Sequence, residues 1–162
     1  MMYLWPSNPF AVELADSPDP KLLADIHADG FAHSWSGADI AKLVSDPTVF
    51  IAIARRDRAF GSKNPIGFVM ARKAADEAEI LSIAVLKRYR NAGIGRKLME
   101  TVLRHLFAER ISSLFLEVDA GNASAVALYE RLGFKTVGER LGYYREGREK
   151  PASALVMRYD LR

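Results

Sequence analysis

Cysteine is absent from the 162 residues. That excludes disulfides, thiolate metal ligands and a cysteine nucleophile, and it defines the redox compartment only weakly. Histidine is scarce. His27, His33 and His105 are scattered without metal-ligand spacing, so each reads as a surface or half-buried side chain, and no metal is expected. No apolar run reaches membrane-spanning length. The start, Met-Met-Tyr-Leu-Trp-Pro-Ser-Asn-Pro-Phe, has neither a basic opening nor a long apolar core, and Glu13 and Asp16 follow soon. A cleaved leader is therefore not expected. Repeats, low-complexity tracts and linkers are lacking as well. The expectation is a soluble, cytoplasmic protein in which Asn122-Ala-Ser124 carries no glycan. Charge of one sign is also in short supply: a net +3 favours an anionic partner only weakly.

What is present suffices for one domain over residues 1–162. A chain of this size buries roughly 70% of its unfolded surface, so no staple is needed. Phe10 to Leu14 reads as a first strand, and Pro20 as the start of a helix with Leu22, Leu23, Ile26 and Phe31 as its apolar stripe. Ser36 suits the cap of a second helix that Asp46-Pro47 ends. Thr48 to Ala54 and Ile66 to Ala71 form a hairpin, and Glu79 to Val85 is a third strand of that group. A helix from Gly95 to Ala108 follows, then a strand from Ser113 to Asp119. Ala123 to Leu132 is a helix stopped by Gly133, and Phe134 to Arg140 and Ala154 to Leu161 are the last strands. Between these two, Gly142-Tyr143-Tyr144-Arg145 reads as loop. The order predicts an α/β fold with a mixed sheet.

The organising stretch is Glu79 to Thr101: a branched apolar strand, a basic loop with two glycines, and an amphipathic helix. Strand, glycine loop and helix start aim backbone N–H groups at one point, which suits a phosphate. A P-loop needs Gly-Lys-Ser/Thr, but Gly95 is followed by Arg96 and Lys97; a dinucleotide fingerprint needs a third glycine where Leu98 stands. Arg90-Asn91-Ala92-Gly93-Ile94-Gly95 instead resembles the pyrophosphate loop of the GNAT superfamily, the acyl-CoA-dependent N-acyltransferases.

The resemblance sharpens at Leu116-Glu117-Val118-Asp119, the Asn122 loop and Leu128-Tyr129-Glu130-Arg131-Leu132-Gly133-Phe134. These resemble the second half of the GNAT core, and specifically the RimI branch, the ribosomal-protein-alanine N-acetyltransferases. Trp35-Ser36 is similar to that branch's Pro-Trp-Ser, and Gly142-Tyr143-Tyr144 to its late Asn-Tyr-Tyr. Three residues depart from the pattern: Arg90 replaces the commoner Gln, Ser34 a Pro and Gly142 an Asn. The last two touch acceptor binding. The resemblance implies a GNAT fold, a mostly antiparallel mixed sheet splayed between two parallel strands and flanked by helices.

It also implies acetyl-CoA as cosubstrate and a protein N-terminus as acceptor, the alanine of small-subunit ribosomal protein number eighteen first among them. Nucleic acid and membrane are not expected as partners. Acetyl transfer to an amine needs a phosphate site, a donor for the carbonyl oxygen, a base, and an acid for the leaving thiolate. Amides from Asn91 to Arg96 answer the first need, with Arg90 and the neighbouring cations Lys87, Arg88 and Lys97 either helping or forming an ordinary solvated face. By resemblance, backbone groups of Ile83, Ala84 and Val85 pair with pantetheine, one of them as an oxyanion donor. Glu117 is the base candidate, expected mid-strand and half-buried, where a carboxylate gains basicity. Its ordinary alternative is a strand-edge salt bridge. Tyr129 is the acid candidate and a cofactor contact, or else simply core. Asn122 faces pantetheine amides or caps its helix. Trp35, Asp119, Tyr143 and Tyr144 are the acceptor-binding candidates. Competing functions are a GNAT enzyme acting on lysine or a small amine, a non-catalytic CoA-binding regulatory domain, and a basic RNA-associated domain.

Overall fold

The computed structural model describes residues 9–56, 64–143 and 152–162. In chain order the elements are β1 (Phe10–Ala15), α1 (Pro20–Gly30), α2 (Gly37–Val44), β2 (Val49–Arg56), β3 (Pro65–Ala74) and β4 (Glu77–Val85). A 3-10 turn at Lys87–Tyr89 leads to α3 (Ile94–Ala108), β5 (Ser113–Asp119), α4 (Ala123–Leu132), β6 (Lys135–Tyr143) and β7 (Ala152–Asp160). The strands order as β1-β2-β3-β4-β5-β7-β6. Pairs β1–β2, β5–β7 and β6–β7 are antiparallel, whereas β4 and β5 run parallel. The α/β class and the mixed sheet therefore stand as the sequence predicts.

The chain divides into two compact units, residues 1–70 with 82–102, and residues 71–81 with 103–162. In the first, local chemistry starts α1 and α2. The Asp19 carboxylate accepts from the Lys21 N–H at 3.0 Å ahead of Pro20. Ser36 and Asp39 form a reciprocal capping box, with bonds of 3.1 and 3.2 Å. Leu23 and Ile26 of α1, Ile40 of α2 and Ile51 to Ala54 of β2 are buried together with Phe68, Ile94, Leu98 and Met99. Phe31 is the exception to the predicted stripe. It lies just beyond α1 and is 43% exposed, because the chain leaves helical geometry at that residue.

The second unit is built on β5. Leu114, Leu116 and Val118 are buried, while Phe115, Glu117 and Asp119 occupy the opposite face, as the alternation predicts. Tyr129, Phe134 and Tyr159 form a chain of ring contacts at 5.9 and 5.3 Å. Gly133 closes α4 at φ 112°, where a side chain would be strained and would meet the Tyr159 ring at 3.1 Å. One boundary differs from expectation. Strand β6 continues to Tyr143, which pairs with Ala152, although Gly142 marked that stretch as loop. A register shift between Arg140 and Tyr143 absorbs the irregularity, and a bulge tolerates glycine.

Candidate active site

Pairing between β4 and β5 covers only Glu77 to Glu79 against Ser113 to Phe115. The ladder thus ends at Glu79 and Phe115, although β4 runs on to Val85 and β5 to Asp119. β5 meanwhile stays bonded to β7 along its whole length. Where the parallel pairing stops, a cavity of about 480 Å³ opens in the second unit. Glu79, Leu81, Phe115, Glu117, Asp119 and Ala154 are among its walls.

Glu117 lies in this cavity, somewhat more exposed than expected. Its side chain is 46% exposed, and its carboxylate is 2.8 Å from the Arg140 guanidinium. The salt-bridge alternative is thus realised, with a partner that the sequence did not suggest. Asp119 lies on the same face and lines the same cavity. One of its carboxylate oxygens accepts from the Gly121 N–H at 2.8 Å, which shapes the turn into α4.

Asn122 caps α4. Its side-chain oxygen accepts from the Ala125 N–H at 3.3 Å and from the Ser124 hydroxyl at 3.2 Å. Only its NH₂ end is then left for a ligand. Tyr129 is buried, with 6% of its surface exposed, so it is a core residue as well as an acid candidate. Burial pushes its phenol up to about 12, which keeps it protonated throughout the neutral range.

The glycine loop belongs to the first unit. The first intrahelical bond of α3 runs from the Lys97 N–H to the Gly93 carbonyl at 3.2 Å, so the amides of Ile94, Gly95 and Arg96 precede the helical ladder. Asn91 and Gly93 take left-handed backbone conformations, at φ 62° and 80°. A Cβ at Gly93 would have nothing within 4 Å, so that side of the loop is open to a ligand. The cations around the loop are mostly engaged. Arg96 pairs with Glu100 at 2.9 Å, Arg88 lies 5.1 Å from the Tyr89 ring centre, and Arg90 extends to Gly30 at the end of α1. The Lys87 N–H donates to Asp29 at 2.7 Å, tying the turn before the loop to α1. Gly67 on β3 was not singled out by sequence. A Cβ there would meet the Ala84 carbonyl at 3.1 Å, so glycine lets β3 pack tightly beside the candidate pantetheine strand Ile83 to Val85.

Trp35 also belongs to the first unit. Its N–H donates to His27 Nδ1 at 3.1 Å, and its ring stacks on the His27 ring at 4.9 Å. Phe31 stacks on His27 as well, at 4.2 Å. His27 is therefore buried and partnered, not the surface or half-buried histidine expected from the sequence. Tyr143 ends β6, and Tyr144 lies outside the described residues. Among the described residues no cluster of three or more His, Cys, Asp and Glu could hold a metal, and no helix is long and apolar enough to cross a membrane.

Burial lowers the His27 pKa below its ordinary 6.5. Between that lowered value and 6.5 the unfolded chain binds the proton and the folded chain does not. Stability from this residue is present above 6.5 and falls as pH drops through that window. Melting curves from pH 8 to pH 5 should show a downward slope in wild type that His27→Gln reduces. An equal slope in both would remove His27 as its source.

The sequence matches the Acetyltransferase (GNAT) family over residues 9–134. It is 42% identical over 92 residues to a ribosomal protein bS18-alanine N-acetyltransferase of Escherichia coli K12, covering 56% of this chain and 60% of that protein. It is 38% identical over 74 residues to an N-alpha-acetyltransferase of Saccharolobus solfataricus, covering 45% of this chain and 44% of that protein. The chain thus aligns with about half the length of these relatives. Its fold superposes on the crystal structure of the E. coli ribosomal-protein-S18-alanine N-acetyltransferase with a TM-score of 0.82 and 26% identity, over 94% of each chain. It also superposes on Arabidopsis thaliana NAA60 in complex with acetyl-CoA, with a TM-score of 0.79 and 22% identity, over 93% of this chain and 98% of that one.

Proposed function

The chain belongs to the GNAT family of acetyltransferases, and on that premise we propose that it transfers acetyl from acetyl-CoA to the α-amine of a protein N-terminus. The preferred acceptor is the N-terminal alanine of ribosomal protein bS18, as in the E. coli relative. The two units act as one acetyltransferase domain over residues 1–162. The observation that carries the reading is the early end of the β4–β5 ladder, with Glu117 and Asp119 in the cavity beside it. An N-terminal ammonium finds two carboxylates there.

The residues fit the cosubstrate. The amides of Ile94, Gly95 and Arg96, ahead of the helical ladder and beside an open left-handed Gly93, suit a pyrophosphate. The backbone of Ile83, Ala84 and Val85 supplies a strand edge for pantetheine, and an N–H there polarises the thioester carbonyl. Glu117 takes the proton from the incoming ammonium, whose pKa is near ~8, directly or through a water. The freed amine attacks the carbonyl carbon, the C–S bond breaks as the nitrogen gives its second proton to solvent, and the Tyr129 hydroxyl donates a hydrogen bond to the departing thiolate. Trp35, Tyr143 and Tyr144 hold the acceptor's backbone, with His27 fixing Trp35.

Gly93→Val tests the phosphate site. A β-branched residue in a left-handed conformation costs on the order of 1–3 kcal/mol and fills the open face. Calorimetric affinity for acetyl-CoA should fall about tenfold or more in a folded variant; unchanged affinity would displace the site from this loop. The function itself is tested by thiol release from acetyl-CoA with an N-terminal alanine peptide. Turnover supports the enzyme. Binding of acetyl-CoA without turnover on any amine would favour a regulatory domain instead.

A further inference from the structure

The pairing register places Arg140 beside the reaction centre by an indirect route. On β7, Ala154 and Val156 are two residues apart and share a face. Glu117 is opposite Val156 on one side of β7, and Arg140 is opposite Ala154 on the other. Asp119 is also opposite Ala154, so Asp119, Ala154 and Arg140 form one row across three strands. Gly138, Val156 and Glu117 form the adjacent row. Two strand spacings separate β6 from β5, roughly 10 Å. A short side chain could not bridge that distance, but an arginine lying over β7 can. The methyl of Ala154 and the bare Gly138 leave the room, and the guanidinium reaches Glu117 at 2.8 Å.

We propose that Arg140 is a specificity-determining residue for the acetyl transfer: it holds Glu117 as an internal stand-in for the acceptor's ammonium, and the acceptor must displace it to engage Glu117. This rests on the assignment of Glu117 above. A carboxylate already paired with a cation binds a second cation more weakly, and only a group that delivers positive charge and N–H donors to the same oxygens replaces it well. A protonated α-amine does so; a neutral amide or a blocked terminus does not. The pair thus rejects uncharged ligands from the cavity. Arg140 is 57% exposed, so the released side chain returns to water at little cost, and the exchange stays shallow enough for turnover.

The test measures calorimetric affinity for an N-terminal alanine peptide, in the presence of CoA, with wild type, Arg140→Gln, Arg140→Lys and Glu117→Gln. Kinetics of the same proteins give kcat and KM for the peptide. Arg140→Gln should bind the peptide about two- to fivefold more tightly and lower its KM in proportion, with KM for acetyl-CoA and the melting temperature unchanged. Arg140→Lys should remain near wild type in affinity. Adding sodium chloride should weaken peptide binding more steeply in Arg140→Gln than in wild type, where the internal pair is screened as well. Unchanged or weaker peptide binding by Arg140→Gln overturns the proposal. The assignment of Glu117 fails separately, if Glu117→Gln keeps wild-type kcat.

Discussion

Replacing Glu117 with Gln should lower kcat by about 10²- to 10⁴-fold, the usual value of a positioned general base. The substitution keeps length and shape while removing the group that accepts the ammonium's proton. It also breaks the ion pair with Arg140. That pair is exposed on both sides, so the fold should lose little. Affinity for acetyl-CoA should stay within about twofold, because the candidate phosphate amides belong to the other unit of the chain. The loss should also depend on pH. As pH rises through the amine's own pKa near ~8, more acceptor arrives already deprotonated. The deficit of the variant should therefore shrink at alkaline pH. A deficit constant from pH 6 to pH 9.5 would mean that Glu117 orients the acceptor and takes no proton.

Replacing Tyr129 with Phe should lower kcat by about 10- to 10²-fold. The expectation lies toward the low end of acid catalysis for a physical reason. With its phenol pushed up to about 12, full proton transfer to a thiolate of pKa ~8.5 is uphill by several units. Tyr129 then acts chiefly as a hydrogen-bond donor to the developing charge on sulfur, worth ~1.5–3 kcal/mol. The ring's packing against Phe134 survives the change, so melting at neutral pH should move little. The same raised pKa has a second consequence. Below pH 10 the phenol is neutral in both states; between 10 and about 12 only the unfolded chain ionises. Stability due to Tyr129 is lost as pH rises through that window, and Tyr129→Phe should remove this part of the alkaline slope. Equal kcat in the variant would return Tyr129 to the core alone.

Local chemistry was the most legible part of the sequence. Ser36 and Asp39 are three residues apart, and a capping box needs nothing beyond that spacing. The alternation in β5 gave the two faces correctly, because parity is a property of the strand itself. Parity does not give depth. Glu117 shares its face with Phe115 as predicted, but neither its ion pair with Arg140 nor the end of the β4 ladder at Glu79 is written in that alternation. That stop is a tertiary event, and only the resemblance hinted at it. Arg140 was out of reach for a similar reason. It is 23 residues from Glu117 in sequence, and the two meet through the registers of two strand pairs. His27 was misjudged because its partner is a backbone N–H on the following loop, and no side-chain pattern announces such a bond. Gly142 misled in the other direction. A glycine at a register shift looks like a turn until the pairing of Tyr143 with Ala152 is known.

The most direct measurement is a competition among three peptides for limiting acetyl-CoA, read by mass spectrometry. One carries the N-terminal alanine sequence of ribosomal protein bS18, the second is the same peptide with its α-amine blocked, and the third offers only an internal lysine. A free α-amine brings its ammonium to Glu117 and Asp119 on an extended backbone, so the first peptide should take nearly all the label. Preferred acetylation of the blocked or the lysine peptide would contradict the assignment of this cavity to a protein N-terminus.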